Sequence, residues 1–97
     1  MRAEMPAGAT WDWTRDESAQ MTFDGDSIVS GTVNWDLELG LVMGAIVPSP
    51  TKSTVFITAP ATPRDAPYRC TLTYTTVGGR TTVAAFWMYV LDPILFT

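Results

Sequence analysis

The residues of this chain whose type and spacing invite chemistry are four carboxylates: Asp24 and Asp26 around Gly25, and Asp36 and Glu38 around Leu37. A carboxylate pair is the only acid–base arrangement open to it. There is no histidine, which excludes Ser-His-Asp and Cys-His arrangements and zinc sites built on imidazole. The single cysteine, Cys70, cannot form a thiolate cluster or an intrachain bridge. Gly78-Gly79-Arg80 lacks the helix that a phosphate-binding loop requires. Asp24-Gly25-Asp26 also suggests a calcium corner with Asp36 and Glu38 as further ligands. Calcium takes six to eight oxygens, however, and no stretch offers that density. Asp-Gly-Asp is a common turn composition that uses glycine for positive φ, and the turn is the preferred reading. The expectation is a protein without catalytic residues, cofactor or metal, and not an enzyme.

Two apolar features point to binding instead. In a strand, the tryptophans of Trp11-Asp12-Trp13 share one face. They can stack on a sugar ring or pack on the core, and packing is preferred. Ile94-Leu95-Phe96, beyond Asp92-Pro93, forms an apolar tail that either tucks onto its own sheet or inserts into a neighbour.

The elements that position these residues read as β. Valine, threonine and aromatics dominate, with proline and glycine at short intervals. The candidate strands are Thr10–Thr14, Met21–Phe23, Ser27–Trp35, Leu41–Val47, Ser53–Ala59, Tyr68–Thr76 and Arg80–Leu91. Asp16 to Met21 offers one helical turn at most. Seven short strands suggest a single small β-sandwich of immunoglobulin-like type. It spans residues 11–91, between a flexible arm at 1–10 and an apolar tail at 92–97. Val29, Val33, Trp35, Val55 and Ile57 are the expected core of the middle strands.

Gly78-Gly79 marks a C-terminal hairpin. With those two residues as the loop, Tyr74 pairs with Val83, Leu72 with Ala85, Cys70 with Trp87 and Tyr68 with Tyr89, all on a core face. Phe86, Met88 and Val90 then lie on the outer face, which is ordinarily polar. Together with Ile94, Leu95 and Phe96 they form the expected partner interface. A loop of odd length would exchange the two faces.

At 97 residues the chain supports one domain, burying roughly two-thirds of its unfolded surface. Its net charge of −4, with six scattered cations, lacks the basic stripe of a nucleic-acid binder. The lone cysteine suits a reducing cytoplasm. No signal peptide is visible, and the longest apolar run, Leu39 to Val47, falls far short of the ~20 residues of a membrane span.

The order of segments resembles a known family. Trp11-Asp12-Trp13-Thr14 opens it, then Asp26-Ser27-Ile28, Trp35 near a strand end and Gly40-Leu41. Tyr68-Arg69-Cys70-Thr71, Tyr74-Thr75-Thr76 and Gly79-Arg80-Thr81 follow before a last strand. This resembles the small bacteriophage fibre–tail adaptors across Trp11 to Val90. Ser27 stands where that family favours threonine, Glu38 where proline is common, and Pro67 where glycine is common. The resemblance implies an immunoglobulin-like virion protein, assembled in the host cytoplasm in several symmetric copies. It would join tail fibres to the tail or baseplate, touching only other virion proteins. The alternatives are a capsid decoration or head–tail connector protein, and a glycan-binding module using Trp11 and Trp13.

Overall fold

A computed structural model describes residues 2–96. Seven strands form two facing sheets, an all-β sandwich. The first sheet has the order β1-β7-β6-β3 and the second β2-β5-β4. The strands are β1 (Arg2–Pro6), β2 (Thr10–Asp16), β3 (Asn34–Leu37), β4 (Val42–Pro48), β5 (Lys52–Thr58), β6 (Tyr68–Thr75) and β7 (Thr81–Leu91). One helix, α1 (Ser18–Asp24), follows β2.

Residues 2–6 are a strand and not a flexible arm. β1 pairs in parallel with the end of β7, from Arg2 opposite Trp87 to Pro6 opposite Leu91. The alternation Arg2-Ala3-Glu4-Met5 is the cause, because it turns Ala3 and Met5 into the core at 4% and 0% exposure. Pro6 is tolerated at the end of an edge strand. At Ala7–Ala9 the chain then crosses to the second sheet, and Gly8 donates to the Pro60 carbonyl at 2.9 Å.

Met21–Phe23 lies in α1 and not in a strand. The Asp16 carboxylate accepts the Ser18 N–H at 2.8 Å near the start of the helix. Gly25, at φ +63°, ends it. The Asp26 N–H reaches back to the Met21 carbonyl and the Gly25 N–H to that of Thr22, as in a Schellman cap. Glycine in Asp24-Gly25-Asp26 is therefore a helix stop, and Met21 is the side chain that α1 buries.

The segment expected as one strand over Ser27–Trp35 is divided. Ile28 bridges Thr76, Ser30–Thr32 form a 3-10 turn, and β3 begins at Asn34. Val29 is consequently exposed, Val33 only packs against the rim of the core, and Trp35 is buried as expected.

The hairpin register differs from expectation by one residue. Thr76 and Arg80 close the loop, with the Thr76 N–H on the Arg80 carbonyl at 2.8 Å and the Gly79 N–H on the Thr76 carbonyl at 2.9 Å. The loop is thus Val77-Gly78-Gly79, with positive φ at Gly79 (+89°) and not at Gly78. A tight turn followed by one left-handed glycine is the usual three-residue hairpin connection. Its odd length sets Thr75 opposite Thr81, Cys70 opposite Phe86 and Tyr68 opposite Met88. Every β7 side chain therefore faces opposite to the expected direction.

Met5, Tyr74, Leu72, Cys70, Met88 and Val90 from the first sheet meet Val55 and Ile57 from the second in the core. The buried Trp35 indole N–H donates to the Ser53 hydroxyl at 2.9 Å, tying β3 to β5 across the sandwich. Among the described residues, no helix is long and apolar enough to cross a membrane.

Candidate interaction surface

The register decides which apolar residues a partner can reach. Met88 and Val90 are fully buried, and Phe86 is half-buried between Trp13 and Trp35 at centroid distances of 6.3 and 6.2 Å. Met88 and Val90 belong to the sandwich interior and are unavailable to a partner, and Phe86 packs against that interior on the same face. Their outward neighbours take the surface position. Val83 is 64% and Trp87 49% exposed. Arg69 of β6 and Arg2 of β1 stand directly opposite Trp87 on its two sides. The Arg2 guanidinium lies 3.8 Å from the Tyr89 ring centroid and pairs with Glu4 at 2.7 Å, so cation and aromatics form one ridge.

The C-terminal tail folds back onto its own domain only in part. Pro93–Phe96 form a 3-10 turn, with the Asp92 carboxylate accepting the Ile94 N–H at 3.1 Å. Phe96 folds back edge-on against Trp11 at 5.7 Å, whereas Ile94 and Leu95 are 71% and 67% exposed.

Trp11 and Trp13 share a face, as their spacing requires, and that face is the inner one, opposite Ile57 and Val55. Their rings lie 6.0 Å apart in a row running from Phe96 to Phe86. The Trp13 indole N–H is buried without a hydrogen-bond acceptor.

The carboxylates singled out for chemistry are mostly held by structural partners. Asp24 pairs with Arg80 at 2.6 Å, fastening α1 to the hairpin loop. Asp26 accepts the N–H groups of Ser27 and Gly78 at 2.8 and 2.9 Å. Glu38 pairs with Arg64 and accepts the Arg69 N–H at 3.2 Å. The Arg64 side chain, followed by the Arg69 N–H, holds the Glu38 carboxyl below its ordinary value, so it stays charged. Arg64 also covers the buried Tyr68 ring, 3.5 Å from its centroid. Asp36 and Glu38 line an open cleft of about 310 Å³ with Leu37, Arg69 and Thr71. Among the described residues, no three histidine, cysteine or acidic side chains gather as metal ligands would. Cys70 is fully buried, and that burial, with Glu38 nearby, pushes its thiol up to about 12.

Val83 and Trp87 were hidden in the sequence by the hairpin alone. Gly78-Gly79 marks a turn without showing whether two residues or three are excluded from the ladder. No protein-family model matches the chain, and no curated protein matches it either.

Proposed function

We propose that this chain is a structural protein of the bacteriophage virion, an adaptor joining tail fibres to the tail or baseplate through protein–protein contacts. The observation that carries the reading is the outward face of β7. An outer sheet face is ordinarily polar, yet here Trp87 stands exposed between Arg69 and Arg2, with Val83 further along the strand. Tryptophan, tyrosine and arginine dominate the energetics of protein interfaces. The exposed Ile94 and Leu95 supply a second apolar contact. The resemblance of the segment order to that of fibre–tail adaptors supports the virion setting and several symmetric copies. A capsid decoration or head–tail connector protein would need the same fold and the same kind of surface, so position in the particle separates these roles.

Reconstruction of particles should find the chain between tail and fibre, with Trp87 covered by another subunit. Trp87→Asp should fold normally, because the side chain is half exposed, and yet be largely missing from purified particles. Incorporation at the wild-type level would overturn the proposed contact. A position on the capsid shell would overturn the adaptor role.

A further inference from the structure

The two sheets present four edges, and three of them carry charge. β1 has Arg2 and Glu4, β3 has Asp36, and β2 has Asp12, Arg15 and Asp16. β4 has none. Its residues are Val-Met-Gly-Ala-Ile-Val-Pro, and all except Ile46 are exposed. An edge strand offers unpaired N–H and C=O groups to any other strand, and charge, bulges or proline ordinarily blunt it. β4 has a bulge and a terminal proline only.

The bulge makes the strand its own complement. Val42 and Val47 pair with Thr58 and Thr54 on the outer face of the sheet, whereas Met43 and Ile46 pair with the core residues Ile57 and Val55. In a regular strand, positions 43 and 46 would point to opposite faces. The extra residue at Gly44-Ala45 returns them to the same one. Read outward from Gly44-Ala45 in either direction, the strand meets an inward apolar residue and then an outward one.

Two antiparallel copies related by a two-fold axis at Gly44-Ala45 would therefore set Met43 opposite Ile46 and Val42 opposite Val47, inner on inner and outer on outer. We infer that β4 is a self-pairing edge whose occupant is β4 of a second copy, joining two three-stranded sheets into one of six. The interface is isologous. It opposes no charged residues, although each chain carries −4. It also covers Met43, which its own sandwich leaves 45% exposed. A seven-residue strand is roughly 23 Å long, and such a contact is smaller than the ~800 Å² per partner of a standard interface. The dimer is thus a concentration-dependent one, and it is independent of any place in a virion.

Sedimentation equilibrium on the full chain over a range of concentrations tests this, with circular dichroism to verify folding. The wild type should pass from monomer to dimer. Val42→Glu and Val47→Lys alter side chains that are 62% and 54% exposed, so the fold should survive. Each alone should weaken association roughly tenfold or more, because a charge is set against valine. Combined in one chain they should restore it, since the two-fold register brings each introduced carboxylate opposite an introduced ammonium. A wild type that stays monomeric throughout overturns the inference and leaves the edge to another protein's strand. Single variants that dimerise like the wild type, or a folded double variant that stays monomeric, overturn the register and the inference with it.

Discussion

The Asp26 carboxylate accepts two backbone N–H groups, one from its own turn and one from Gly78 on the distant hairpin. A Cβ at Gly78 would stand 2.8 Å from Asp26 Oδ2, so a larger residue there would have to displace this carboxylate. The Thr76 hydroxyl, then the Gly78 and Ser27 N–H groups, lower the Asp26 carboxyl from its ordinary 3.8. A folded-state value below the unfolded one means that the charged form favours folding. That contribution is complete above the ordinary value and disappears as pH falls through the lower folded one. Asp16 and Glu38 are lowered as well and act in the same direction. Urea midpoints measured from about pH 6 to about pH 2 should fall steeply for the wild type and less so for Asp26→Asn. Equal slopes would assign the acid sensitivity to the other two carboxylates. At this scale the sequence was informative about turn chemistry around Asp24-Gly25-Asp26. The long-range partners of those carboxylates depend on where the hairpin lands, 52 residues away for Asp26 and Gly78.

Among the elements, β2, β5, β6 and β7 were legible because β-branched and aromatic residues alternate along them with flanking breakers. β1 was not, since its four-residue alternation stands next to Pro6 and Gly8 and resembles an unstructured arm. α1 was obscured because a two-turn helix that buries only Met21 leaves no period to detect. The most consequential miss was the hairpin register. One extra loop residue turned Phe86, Met88 and Val90 inward and brought Val83 and Trp87 out, so half of the expected interface inverted while the two hairpin strands themselves stood. Ile94 and Leu95 kept their exposed positions because no register acts on them. The structure gives β1 real weight, since Met5 is fully buried against the sheet. Met5→Ala should destabilise the domain by about 2–5 kcal/mol, the range for emptying a core site of that size. A change under 1 kcal/mol in denaturant unfolding would show that β1 adds little and that residues 2–6 behave as the arm their composition suggests.

Across the whole molecule, the two sheets exchange few backbone contacts and depend on one interior. The chain crosses between them four times, side chains from both fill the core, and Trp35 donates to Ser53 through its middle. Both ends of that hydrogen bond are almost wholly buried, at 3% for Trp35 and 1% for Ser53. Removing the acceptor leaves an indole N–H without a partner in an apolar setting, which costs about 1–3 kcal/mol. Ser53→Ala should therefore lower stability by that amount, and the loss should be felt by both sheets together. Tryptophan fluorescence reports on both, since Trp11 and Trp13 lie in the second sheet while Trp35 and Trp87 lie in the first. For a single core shared by both sheets, fluorescence and far-ultraviolet circular dichroism should give one coincident transition in wild type and variant alike. If the variant's two signals separate, the Trp35–Ser53 bond is what couples the sheets. Separate transitions in the wild type would mean that each sheet holds its own stability and that the shared interior is not the cooperative unit.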